Sequence, residues 1–154
     1  MIEWYSDKEL EIAFDEKPCL GVRYVLPTQS EREKASIKKY PFICRRKLEV
    51  IIIDKKINKS YNFAIPKSYC WNGSDIPRIF WRLVGSKSEP QYLIGSCLHD
   101  FMLENKFIID YNRRLTSLVF RGCLLEAGVS KLKANIMSEA VDLFQRFQKW
   151  WSNG

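Results

Sequence analysis

The apolar positions of this chain change period part-way along it, dividing an extended half from a helical half. Leu10-Glu11-Ile12-Ala13-Phe14 alternates apolar with small or charged residues, the two-residue period of a half-buried strand. Asp15 to Pro18 supplies a turn, and Gly21 to Val25 reads as another strand ended by Pro27, so Met1 to Val25 is expected to hold one or two short strands. Leu48 to Ile53 is apolar and β-branched, Asp54 to Asn58 carries turn residues, and Lys59 to Ile65 alternates again. That pattern predicts a hairpin whose first strand is central in a small sheet.

Beyond Ile65 the period lengthens. Ser74 or Asp75 is placed to cap a helix with Pro77 near its first turn, running through Trp81 to a stop at Gly85. Pro90 opens a second helix to about Glu104, apolar except at Ser96, His99 and Asp100, and therefore expected to be buried on most sides. Asn112 caps a third helix, with Leu115, Leu118, Val119, Leu124 and Leu125 on one face and an end at Gly128. Ser130 caps a fourth, with an apolar stripe expected at Leu132, Ile136, Ala140, Leu143, Phe147 and Trp150 or Trp151. The fold class that follows is α+β: an N-terminal antiparallel sheet packed by three or four C-terminal helices. The 154 residues are expected to form a single domain, mainly β over 1–68 and mainly α over 69–154.

Composition adds exclusions. With 46% hydrophobic and 28% charged residues the chain is neither disordered nor fibrous. Cys19, Cys44, Cys70, Cys97 and Cys123 form an odd, widely spaced set with no CxxC pair, which argues against a disulfide framework and against a zinc ribbon. Free thiols in a reducing compartment are expected. No charged leader runs into an apolar segment, and no apolar stretch approaches the ~18 residues of a membrane span, so a soluble cytoplasmic protein is expected.

The formal charge is +7, a balance that attracts nucleic acid, anionic lipid or an acidic protein. Thr28 to Tyr40 has no apolar stripe and reads as an exposed loop or a surface helical turn. Continued to Lys47, this region carries Arg32, Lys34, Lys38, Lys39, Arg45, Arg46 and Lys47 against Glu31 and Glu33, and is the candidate partner-binding segment. No nucleic-acid-binding motif accompanies it.

Candidate chemistry centres on the single histidine, His99, and the Asp100 that follows it. On a helix the two lie about 100° apart, and Gly95 and Ser96 join them in one polar seam whose small residues leave room for water, a loop or a ligand. The Asn72-Gly73-Ser74-Asp75-Ile76-Pro77 corner is the natural cover for that seam. In the functional reading His99 is a general base or a metal ligand, with Asp100 or Asp75 orienting it or binding a cation; the sequence names no particular metal or cofactor. In the structural reading His99 and Asp100 hydrogen-bond to the corner backbone and pin loop to helix, supported by Asn72, Ser74, Ser96, Pro77 and Trp81. A Cys97–His99 nucleophilic pair is disfavoured, because residues two apart on a helix face different sides. A phospholipase A2 arrangement lacks its calcium-loop glycines and disulfides, and a His-Asp metal phosphohydrolase needs several histidines.

Ile65-Pro66, Tyr69, Ile76-Pro77-Arg78, Phe80-Trp81, His99-Asp100, Phe120 and Gly128-Val129 follow one another in an order and spacing that resembles the phage and prophage family DUF1353, a domain of unknown function. The resemblance covers about the second two-thirds of the chain and implies a phage or prophage origin. The family's acidic positions fall here on Asn72 and Ser117, its serine on Asp75, and the last tyrosine of its His-Asp motif on Leu103. The expectation is therefore a non-catalytic virion, assembly or accessory protein that binds a phage or host protein, located in the host cytoplasm or incorporated in the virion. The alternative is a His/Asp-based hydrolase acting on cell-wall or lipid substrate, with or without a metal.

Overall fold

The computed structural model describes residues 1–73 and 90–147. The alternating segments pair as strands β1 (Ile2–Ser6), β2 (Leu10–Phe14), β5 (Leu48–Asp54) and β6 (Lys59–Ile65), an antiparallel sheet in the order β1-β2-β5-β6. Its register sets Ile12 opposite Ile52, and Val50 and Ile52 opposite Phe63 and Tyr61, so the apolar positions of three strands share one face. All of them are buried. A slip of one residue would turn that whole set to solvent. β5 is central, as its β-branched run predicts.

The N-terminal region holds more strand than its pattern suggests. The turn between β1 and β2 is made by Asp7, whose Oδ1 accepts from the backbone N–H groups of Glu9 and Leu10 at 2.7 and 2.8 Å. Strands β3 (Leu20–Val22), β4 (Phe42–Cys44) and β7 (Cys70–Trp71) form a second antiparallel sheet, in the order β3-β4-β7. Between β3 and β4 lies helix α1 (Glu31–Lys39), capped by Ser30 Oγ and burying only Ile37.

The second half is helical where described: α2 (Pro90–Glu104), a 3-10 turn (Lys106–Ile109), α3 (Arg113–Glu126) and α4 (Lys131–Phe147). The expected helix over Ser74 to Gly85 lies outside the described residues, as do Trp150 and Trp151. α2 and α3 pack their apolar faces on the sheet, with Leu98, Met102, Leu115 and Val119 joining the strand residues in one core. Asn112 caps α3 by accepting from Leu115 N–H at 3.2 Å, and Gly128 follows it at φ +93°, a conformation that favours glycine.

α4 corrects the stripe read for it. Leu132 and Leu143 are exposed, at 72% and 49%, while Ala134, Met137 and Val141 are buried beside Ala140. Apolar residues occupy more than half of this helix's circumference, so two stripes compete at the same period. Docking on Phe120 and Leu124 of α3 selects the one containing the small Ala134, which allows close approach. All five cysteines are free: Cys44, Cys97 and Cys123 are buried, Cys70 is half-buried and Cys19 exposed.

Candidate functional site

α2 carries the polar seam into the core rather than toward solvent. The space beside Gly95 is filled: a Cβ there would stand 3.3 Å from Phe120 Cδ2 and 3.4 Å from Cys123 Cβ, so the glycine admits α3 and leaves no room for water or ligand. Ser96 Oγ accepts from the indole Nε1 of Trp71 at 2.9 Å and donates to Leu93 O at 3.1 Å. Trp71 is fully buried and immediately precedes Asn72, so this bond ties the strand entering the Asn72-Gly73 corner to the middle of α2. Gly73 takes φ +86°, which explains a glycine at the corner. Ser74, Asp75, Pro77 and Trp81 lie outside the described residues.

His99 is 1% exposed, its ring tilted against Phe120 at 5.4 Å between centroids. Its Nδ1 stands 3.8 Å from Asp100 Oδ1, beyond hydrogen-bond reach, and neither ring nitrogen has a hydrogen-bond partner among the described residues. Most of the corner expected to lock onto His99, Ser74 to Pro77, lies outside the described residues; among those described, Trp71 and Ser96 provide a tie between strand and helix.

The Asp100 charge also acts on a pair that sequence spacing alone does not assemble, Glu104 and Tyr69. Glu104 is one turn on from Asp100 and exposed at the end of α2, where it accepts from the Tyr69 hydroxyl at 3.0 Å. Partial loss of solvent around its otherwise exposed side chain raises the Glu104 carboxyl above its ordinary range; the Tyr69 bond opposes that rise and the Asp100 charge adds to it. The Tyr69 phenol is raised by burial and by the same two carboxylates. Its ring stacks on Trp71 at 5.8 Å and meets the edge of Phe101 at 5.1 Å. The i, i+4 spacing of Asp100 and Glu104 was the available signal; the arrival of Tyr69 from the loop before β7 was not. Among the described residues no three His, Cys, Asp or Glu side chains are grouped to hold a metal ion.

Residues 48–141 match a protein-family model described as a protein of unknown function, DUF1353. The chain belongs to the DUF1353 family. No curated protein and no solved structure matches it. The DUF1353 segment spans β5, β6, β7, α2, α3 and most of α4, and so contains His99, Asp100, Tyr69 and Glu104. The strands β1 to β4 and α1 precede it, although β2 pairs directly with β5.

The basic segment also precedes the DUF1353 match, and several of its cations have partners within the fold. Arg46 bonds Glu16 at 3.1 Å and Lys17 O at 2.6 Å, and Lys47 pairs with Glu49 at 3.5 Å. Arg45 donates to Val22 O at 3.3 Å and lies across Gly21, where any Cβ would collide with its guanidinium. On α1, Lys34 pairs with Glu31 and Lys39 lies over the Tyr40 ring, while Arg32 and Lys38 have no ion pair among the described residues.

Ser117 lies far from His99 in role. It lines a cleft of about 870 Å³ between the β1–β2 turn, α3 and α4, a feature with no counterpart in the sequence reading. Its hydroxyl bonds Asp142 Oδ1 at 3.1 Å, which also takes Arg113 at 2.6 Å, and Arg146 holds the other oxygen at 3.2 Å. Asp142 thus places a carboxylate beside the serine, but one already neutralised by two guanidinium groups. Arg121 bonds Asn135 and Tyr5 donates to Asp7 at 2.8 Å, and all four residues also line the cleft.

Proposed function

We propose that this DUF1353 chain is a non-catalytic phage or prophage component, a virion, assembly or accessory protein that acts by binding other proteins. The observation that carries this reading is the setting of His99: an imidazole 1% exposed and packed on Phe120 is poorly placed to reach a substrate. A contact surface is available elsewhere. Ile57, Phe107 and Tyr111 are exposed at 54%, 65% and 52%, and the Lys59–Asp110 ion pair joins the start of β6 to the segment that bears Phe107, in the 3-10 turn, and Tyr111, just after it. Exposed large apolar side chains gathered at one corner mark a protein contact more often than a scattered set does.

The test is association with particles from a lysogen expressing the tagged chain, purified on a density gradient and quantified by immunoblot. Wild type and His99→Gln should be retained alike, and Phe107→Ser/Tyr111→Ser should be lost at an unchanged melting temperature. A second reading, a His/Asp hydrolase of cell-wall or lipid substrate, is supported by the Asp100, Glu104 and Tyr69 group beside His99. It replaces the first if His99→Gln keeps its fold and its particle association yet abolishes the phage phenotype.

A further inference from the structure

Residues 23–41 leave the β3–β4 hairpin as a closed excursion, and we propose that this excursion is a peripheral binding site for an anionic lipid surface. Its neck is fastened just beyond the Val22–Phe42 pair: Arg23 donates from its backbone to Pro41 O at 2.6 Å and from Nη1 to Tyr40 O at 3.0 Å. Further out, Leu26 and Gln29 close a tight turn, the Leu26 N–H donating to Gln29 Oε1 at 2.7 Å and the Gln29 N–H to Leu26 O at 3.2 Å. Ser30 then starts α1. Within the whole excursion only Ile37 is buried.

Two properties coincide on it. Tyr24, Val25 and Leu26 are consecutive and exposed at 73%, 43% and 52%, an apolar tip that costs solvation and fills no core. On α1 of the same excursion, at about 100° per residue, the face opposite Ile37 presents Arg32 and Lys39 with Lys38 at its flank. The excursion carries five cations (Arg23, Arg32, Lys34, Lys38, Lys39) against Glu31 and Glu33, a net charge of +3.

A phosphate backbone would use the cations but gains nothing from Val25 and Leu26. An anionic bilayer uses both sets: the lysines and arginine meet lipid phosphates, the tyrosine ring sits at headgroup level, and the aliphatic chains enter the acyl boundary. No helix among the described residues is long and apolar enough to cross a membrane, so the contact is a surface one. It lies outside residues 48–141 and shares no residue with the Phe107 and Tyr111 surface, so the two readings are tested by different variants.

The experiment is flotation of the full chain with vesicles of equal phosphatidylglycerol and phosphatidylcholine, against vesicles of phosphatidylcholine alone and against duplex DNA. Binding is expected to the anionic vesicles only, weakening several-fold at about 0.5 M salt. Arg32→Glu/Lys38→Glu/Lys39→Glu should lower the partition by roughly tenfold or more, and Tyr24→Ser/Leu26→Ser should lower it with the charge unchanged. All five side chains are exposed, so the melting temperature serves as the folding control. No partition onto anionic vesicles, partition that survives either variant, or binding to DNA without binding to vesicles overturns the proposal.

Discussion

Replacing His99 by leucine should leave the protein about as stable as before, or slightly more stable. The imidazole is buried at 1% exposure, and neither nitrogen is hydrogen-bonded among the described residues. A buried polar atom left unpaired costs about 1–3 kcal/mol, and leucine removes that cost. Against it stand the lost ring contact with Phe120, worth about 0.5–1.5 kcal/mol, and reshaping of the site, usually under ~1.5 kcal/mol. The terms nearly cancel, so the change should lie within about 1 kcal/mol of zero. For a chain of this size that corresponds to about 2–4 °C in melting temperature. Urea unfolding followed by tryptophan fluorescence measures it directly. A loss of about 3 kcal/mol would refute the reasoning.

Ser96→Ala should cost more than His99→Leu despite removing a single oxygen, about 1–3 kcal/mol, because the fully buried Trp71 indole loses its acceptor; a melt indistinguishable from wild type would contradict the tie between β7 and α2. Asp7 offers a pH test. Burial pushes its carboxyl up, but the bonds from the Tyr5 hydroxyl and the Glu9 and Leu10 N–H groups outweigh that and hold it below its ordinary value. Its contribution is therefore present above about pH 4 and lost as pH falls through the lower folded value. Asp7→Asn should destabilise at pH 7, and the gap to wild type should narrow steadily under acid; a gap independent of pH in denaturant titrations would rule this out. The same cluster raises the Tyr5 phenol to about 12, with burial the leading cause and the Asp7 bond and charge adding to it. Folding thus favours the neutral phenol, and stability should fall from about pH 10 upward, with absorbance near 295 nm reporting Tyr5 ionisation close to 12 against a Tyr5→Phe control.

Much of the architecture was local and therefore legible. Strict alternation in Leu10–Phe14 and Lys59–Ile65 allows only one face to be buried, the Asn112 and Ser130 caps act on backbone three residues on, and the Gly128 stop rests on its own positive φ. The near-continuous apolar character of α2 likewise required burial on most sides. The α+β class followed from these alone. What remained undecided depended on contacts between distant segments, where composition offers equal choices. Two apolar stripes fitted α4, and only contact with Phe120 and Leu124 chose between them. Gly95 signalled close approach without saying by what; α3 fills the space that the sequence left open to a ligand. Among the seven basic residues, Arg45 and Arg46 are held by the Val22 carbonyl and Glu16, partners distant in sequence that only the fold brings near. The seam of α2 shows the division most clearly. Helical period placed Ser96, His99 and Asp100 side by side, but the pairing of β4 with β7 is what brings Trp71 to Ser96 and Tyr69 to Glu104, leaving His99 enclosed.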